Sequence, residues 1–181
     1  TTIDDALGEA YDKTAKLMGI EFPGGPKIEK FSKKGNPKRF LLPKPIINKG
    51  GCNLSFAGLK TAVLRSTASV KTIKDKYDLA ASFQATVLEI IYKKTKLAID
   101  EFKKSTKGEK LVVAGGVAAN NEIRKKIKTL CKEENFKLYF PDVRLCGDNA
   151  AMIAISGLKK FKKREFTKLN FSVRPRWGLD E

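Results

Sequence analysis

The chain has 181 residues, and its hydrophobic content of 41% excludes a largely disordered protein. No apolar run approaches the ~20 residues of a membrane-spanning helix, and the acidic N-terminus lacks the basic and apolar segments of a signal peptide. Lys and Arg number 37 against 20 Asp and Glu, a net charge of +17, and basic residues cluster at 93–96, 124–126 and 159–164. This excess favours either a polyanionic partner, nucleic acid first, or simply a lysine-rich solvated surface.

The first predicted element is a helix over residues 4–18. Apolar residues recur at helical spacing, Thr1 or Thr2 is in position to cap the helix, and Gly19 ends it. Asp5, Glu9 and Asp12 are spaced to share one face of this helix. Three aligned carboxylates repel one another unless cations, hydroxyl donors or basic side chains meet them. A solvated acidic face is the alternative.

The rest of the first half is also predicted to be mainly helical. Residues 22–26 form a turn in which glycine allows close backbone approach. The following elements are a short helix over 27–32, a strand turning into a helix that ends near Ser66, and a long amphipathic helix over 77–102.

The second half alternates strands with helices. The pattern predicts strands beginning at Leu111 and over 136–140, and helices over 121–132 and from Asn149 to about Leu158. This alternation indicates an α/β layer with helices covering a sheet. We expect one α/β lobe over residues 1–181, comprising a mainly helical part (1–105), a strand–helix core (106–165) and an extended surface tail (166–181).

The loop after the first predicted strand is a candidate ligand loop. Gly115 and Gly116 follow that strand, and their amides could hold a phosphate or a ribose hydroxyl at the following helix N-terminus. Asn120 and Asn121 are candidate helix caps. Because the loop matches neither the P-loop nor the GxGxxG pattern, a tight strand-to-helix turn remains the alternative.

Asp148 also follows a predicted strand, at the start of the last predicted helix. It is either a helix cap or a metal ligand. One carboxylate does not build a metal site, so further ligands would have to come from elsewhere.

Six motifs in order carry a resemblance that none carries alone. Together the chain resembles the C-terminal half of the bacterial tRNA N6-adenosine threonylcarbamoyltransferase family, earlier known as glycoproteases (O-sialoglycoprotein endopeptidases). The motifs are Ile3–Lys13, Phe22–Pro26, Ser55–Thr61, Ala114–Asn120, Cys146–Ala154 and Ser172–Trp177.

This resemblance implies a fold and an activity. The implied fold is the C-terminal lobe of the actin-like, sugar kinase and Hsp70 ATPase (ribonuclease H-like) architecture, with a helical insertion. The implied reaction transfers threonylcarbamoyl from threonylcarbamoyl-adenylate to N6 of the adenosine beside the anticodon, in tRNAs that read codons beginning with A. The implied partners are tRNA, the ATP-derived adenylate and other subunits of a transfer complex.

The resemblance also implies a set of site residues and a metal. Asp148 would ligate iron or another divalent ion, and no catalytic residue is assigned. Asn120 would face the ligand, which leaves Asn121 as the helix cap. The implied substrate-binding residues are Glu9, Asp12, Gly25, Gly115, Gly116 and Asn120.

Two departures from the family pattern bear on activity. The family's other metal ligands are two histidines of an N-terminal lobe, and this chain has no histidine. The sequence also begins within a segment that lies mid-protein in the family. We therefore expect a fragment that lacks the N-terminal lobe and is inactive alone.

The sequence also leaves two other functions open. A tRNA- or partner-docking lobe is one alternative, and the ATP-binding half of a sugar-kinase-like protein is another. Proteolysis is disfavoured because the sequence supplies no activated nucleophile or complete metal site. The three distant cysteines match neither a disulfide framework nor a zinc knuckle, which favours a reducing, cytoplasmic setting.

Overall fold

The computed structural model describes residues 1–174, and these form two compact units, one over Thr1–Gly147 and one beginning at Asp148. The helices are α1 (Leu7–Leu17), α2 (Gly24–Ser32), α3 (Ala57–Thr67), α4 (Ile73–Ser105), α5 (Asn121–Glu133) and α6 (Ala150–Lys162), the strands are β1 (Lys110–Val112) and β2 (Lys137–Tyr139), and short 3-10 helices span Gly116–Ala119 and Val143–Leu145. The six predicted helices and two of the three predicted strands are present. The short strand before α3 is reduced to a single parallel bridge between Thr2 and Leu54.

The start of α1 differs from the prediction. The helix begins at Leu7, after Ala6, and the Glu9 carboxylate accepts a hydrogen bond from the Ala6 backbone N–H. Neither Thr1 nor Thr2 is the cap, because the bridge to Leu54 holds this end of the chain in an extended conformation. Gly19 follows the helix at φ +65°, a left-handed conformation that favours glycine.

The first acidic residues serve tertiary contacts. Asp4 binds the start of α3, accepting from the Ser55 hydroxyl and from the backbone N–H of Phe56 at 2.7 Å. Asp5 pairs with Lys13 and Lys60. Both carboxylates precede α1, so the predicted single acidic helical face is wrong for Asp5.

Helix α4 is the centre of the larger unit. Thr72 caps it by accepting from the Asp75 backbone N–H, and the Asp75 carboxylate accepts in return from the Thr72 backbone N–H. This reciprocal pair explains why the helix begins before the predicted start. Leu79, Phe83 and Val87 of the apolar stripe are fully buried, and α4 packs against α2, α3 and α5.

The sheet is small and parallel. Strands β1 and β2 pair with Leu111 opposite Leu138, and α5 is the crossover between them. Ile123, Ile127 and Leu130 on the apolar face of α5 join the same hydrophobic core as α4. The larger unit is therefore an α/β structure in which helices predominate.

The second unit contains α6 and the segment that follows it. Asn149 caps α6 by accepting from the Met152 backbone N–H, so the cap is Asn149 rather than Asp148. Residues 166–174 are exposed and lie outside helices and strands. The remaining positions of the predicted extended tail, 175–181, lie outside the described residues.

Over residues 1–174, every helix is either too short or too polar to cross a membrane.

Candidate functional site

A cavity of about 600 Å³ opens between α1, the start of α2 and the start of α5. Four residues of the predicted binding set line it. The lining residues are Gly8, Tyr11, Asp12, Pro23, Gly25, Pro26, Glu29, Gly116, Val117, Ala119, Asn120, Asn121 and Val143.

The first wall is built by the packing of α2 against α1. Asp12 accepts a hydrogen bond from the Gly24 backbone N–H at 2.7 Å, which fixes the start of α2 beside α1. A Cβ atom at Gly24 would lie 2.6 Å from the Ala15 Cβ atom, whereas a Cβ atom at Gly25 would have nothing within 4 Å. Gly24 thus permits the close approach of the two helices, and Gly25 faces open space at the cavity.

Glu29 places a second carboxylate in this wall. It is buried, it accepts a hydrogen bond from the Asn121 side-chain amide at 3.2 Å, and it pairs with Lys33 at 3.4 Å. Sequence reasoning missed Glu29, although its position four residues after Gly25 on a helix that faces the loop was a usable signal.

The second wall begins with the cap of α5. The Asn120 side-chain oxygen accepts from the backbone N–H groups of Glu122 and Ile123, each at 3.1 Å. The predicted cap, Asn121, is wrong, because Asn121 is the first residue of the helix and its side chain turns to Glu29. Asn120 combines the two roles that the sequence divided: it caps the helix and lines the cavity.

Beneath the cavity, Gln84 joins both walls through buried hydrogen bonds. The Tyr11 hydroxyl donates to the Gln84 side-chain oxygen at 2.9 Å, and the Gln84 and Asn120 amides exchange two hydrogen bonds of 3.3 Å. Burial raises the pKa of the Tyr11 hydroxyl, which keeps it protonated as a donor. No sequence motif marks Gln84, since it lies inside the stripe of α4.

Arg124 fixes the two loops of the second wall. Its guanidinium donates to the carbonyl oxygens of Ala118 and Pro141 and lies over the Phe140 ring at 4.5 Å from the centroid. The sequence grouped Arg124 with the neighbouring lysines as a basic surface cluster. In the structure its charge is directed into the fold.

The remaining predicted site residues lie elsewhere. Glu9 is on the exposed side of α1 and pairs with Lys13, and Gly115 precedes Gly116 at φ +93° without being among the lining residues. Asp148 is the first residue of the second unit. Residues 1–174 bring together no group of three His, Cys, Asp or Glu side chains that could hold a metal ion, so the described residues alone do not fit the implied metal.

Comparisons with known proteins agree on one family. The family described as tRNA N6-adenosine threonylcarbamoyltransferase matches residues 1–155. Proteins of that name are 63% identical over 182 residues in Pelagibacter ubique (strain HTCC1062), 47% over 186 in Rickettsia rickettsii (strain Sheila Smith) and 48% over 185 in Rickettsia bellii (strain OSU 85-389). These matches cover 99–100% of this chain. The chain spans about half the length of these curated relatives, 51% in the first case and 54% in the other two.

Proposed function

Because this chain belongs to the tRNA N6-adenosine threonylcarbamoyltransferase family, we propose that it contributes an adenylate-binding lobe to an enzyme that transfers threonylcarbamoyl to N6 of an adenosine in tRNA. The resemblance based on six motifs is confirmed as to family. The activity, the substrates and the assignment of this chain to the C-terminal lobe of an actin-like fold are proposals. The observation that supports them is the cavity lined by Asp12, Gly25, Gly116 and Asn120.

The chemistry of the cavity suits an adenylate. Pro23, Pro26, Val117 and Val143 offer apolar surface for a base. The N-termini of α2 and α5 both reach the lining, and helix N-termini favour a phosphate.

The polar groups of the cavity can orient the ligand. A carboxylate can accept several hydrogen bonds, so Asp12 and Glu29 can bind ligand hydroxyl or amino groups in addition to their protein partners. These residues bind and orient the adenylate, and part of the rate acceleration would follow from that positioning.

The other parts of the proposal rest on the family alone. Asp148 as one ligand of iron or another divalent ion, the partner subunits and a cytoplasmic location all stay proposals that rest on the family. Residues 1–181 alone are expected to be inactive, since they correspond to about half of the relatives.

A transfer assay tests this function. The complete gene product should modify tRNA with threonylcarbamoyl when supplied with the adenylate and partner subunits. Residues 1–181 should not. Asp12→Ala in the complete protein should reduce kcat/KM by roughly tenfold or more, because it removes the group that fixes α2 beside the ligand. Lys16→Ala, an exposed change on the same helix, serves as the control. Equal rates for Asp12→Ala and Lys16→Ala would contradict the proposed site.

The positive charge supports a second candidate, a tRNA-docking lobe, only in part. The run at residues 93–96 is used within the fold, because Lys94 is buried and Lys96 pairs with Glu134. Lys128 and Lys132 on α5 are exposed. If tRNA docks through its phosphates, the logarithm of the tRNA binding constant should fall by roughly 0.7–0.9 per phosphate contact for each tenfold increase in salt concentration. The double variant Lys128→Glu and Lys132→Glu should make this dependence on salt less steep. An unchanged slope in the double variant would exclude this face of α5.

A further inference from the structure

Gln84 occupies an unusual place in the larger unit. It lies on the buried face of α4, the residue is only 3% exposed, and it is not itself among the residues that line the cavity. A buried side-chain amide without partners is costly, so its retention in a core position requires compensating hydrogen bonds. Tyr11 and Asn120 supply them, one from each wall of the cavity.

The bonding pattern determines how Asn120 is oriented. The Gln84 oxygen accepts from Tyr11 and from the Asn120 amide nitrogen, while the Gln84 amide nitrogen donates to the Asn120 oxygen. The Asn120 oxygen is also occupied by the first backbone N–H groups of α5. The Asn120 amide nitrogen carries two hydrogens. It donates one of them to Gln84, so the other can donate to a ligand.

We propose that Gln84 is the positioning residue of this site: it fixes the Asn120 amide so that its nitrogen, rather than its oxygen, faces the cavity, and it links that amide to Tyr11 in the opposite wall. The site then offers a hydrogen-bond donor at Asn120, which selects a ligand with an acceptor atom there, such as a base ring nitrogen or a ribose oxygen. This inference rests on the proposed function of the cavity as an adenylate site.

The test uses the complete gene product and AMP as the probe. Gln84→Met keeps the length of the side chain but removes its hydrogen bonds, and we expect it to raise the Kd for AMP roughly tenfold. Asn120→Ser keeps a side chain that can cap α5 while removing the amide, and it should raise the Kd to a similar extent. If Gln84 acts through Asn120, then adding Gln84→Met to Asn120→Ser should weaken binding no further.

Two controls separate positioning from loss of stability. Thr14→Val removes a buried hydroxyl of α1 that has no hydrogen-bond partner among residues 1–174, and it should leave the Kd unchanged. Val63→Ala opens a small space in the core at α3, away from the cavity lining. It should lower the melting temperature without changing the Kd.

The outcomes are distinct. Fully additive effects of the two variants, or a Gln84→Met protein that binds AMP like the wild type, would overturn the positioning role. If the wild type binds no AMP, the adenylate site and the role of Gln84 both fail. If AMP binding and the non-additivity are present but tRNA is never modified, the proposed function fails and the role of Gln84 stands.

Discussion

Two adjacent glycines at the start of α2 should respond in opposite ways to the same substitution. A methyl group at Gly24 would lie 2.6 Å from the Ala15 Cβ atom, 2.8 Å from the Asp12 Cα atom and 2.9 Å from an Asp12 carboxylate oxygen. The Asp12 Cα atom belongs to the backbone of α1 and the Ala15 Cβ atom is bonded to it, so neither can move away unless α1 itself moves. At Gly25 the same methyl group would meet nothing within 4 Å.

The geometry gives a magnitude for Gly24→Ala. Forcing an extra carbon into a packed interface costs about 1–3 kcal/mol. The shift would also stretch the 2.7 Å hydrogen bond from the Gly24 backbone N–H to Asp12, and such bonds to charged groups contribute about 1.5–3 kcal/mol. Alanine is favoured over glycine in a helix by up to about 1 kcal/mol, which offsets part of this loss. We expect a net loss of about 2–4 kcal/mol in the free energy of unfolding.

Gly25→Ala is the matched control. It carries the same gain in helix propensity without the clash, so its stability should equal or exceed that of the wild type. Because Gly25 lines the cavity, its methyl group should instead weaken AMP binding. Urea unfolding and calorimetric titration with AMP, carried out on both variants, separate the two effects. Equal stability of Gly24→Ala and Gly25→Ala would refute this account of the contact between α1 and α2.

Three further predictions concern the larger unit. Backbone N–H groups lower the pKa of Asp75 to about 2, so the stability it provides should be present above its unfolded pKa near 4 and disappear as the pH falls towards 2. Acid unfolding of Asp75→Asn should therefore show a smaller decline over that range. Lys94→Met leaves the carbonyl oxygens of Lys49 and Gly51 without their donor, and it should lower stability by about 1–3 kcal/mol and speed proteolysis of that loop. Cys52 is exposed and the other two cysteines are buried, so a maleimide reagent should label one thiol in the folded protein and three after denaturation.

The sequence predicted the helices well because hydrophobic periodicity survives in each of them. It was wrong about the starts of α1 and α4, because the cap of a helix depends on hydrogen-bond partners that the local pattern does not show. Asp4 looked like part of α1 but binds the start of α3, 51 to 53 residues away along the chain. Asn120 and Asn121 are equally good caps by residue type, and their partners distinguish them: Asn120 binds the buried Gln84, whereas Asn121 binds Glu29.

The candidate site was predicted in part. Gly25 and Gly116 stood out because each lies in a glycine pair that interrupts the pattern around it, and both line the cavity at the start of a helix. Gln84 lies inside a regular helix, where a polar residue next to apolar neighbours carries no local signal of its partner, whereas the spacing of Glu29 from Gly25 was a signal that was not used. Arg124 was misassigned for the same reason, since charge in a sequence does not reveal whether a side chain points outward or into the fold.

Three polar residues buried along α4 share one physical role. Asp78 accepts from the Asn36 backbone N–H, Gln84 binds Asn120, and Lys94 donates to the carbonyl oxygens of the loop that contains Gly51. Each partner lies in or beside a loop that lacks the backbone hydrogen bonds of a helix or strand. A loop can pack against a core only if its polar groups find donors and acceptors there, because burying them unpaired is costly. Helix α4 therefore uses hydrogen bonds from buried polar side chains in two places. They position the second wall of the cavity, and they hold the chain between α2 and α3. A change in its polar positions should alter ligand binding and loop order before it unfolds the helix itself.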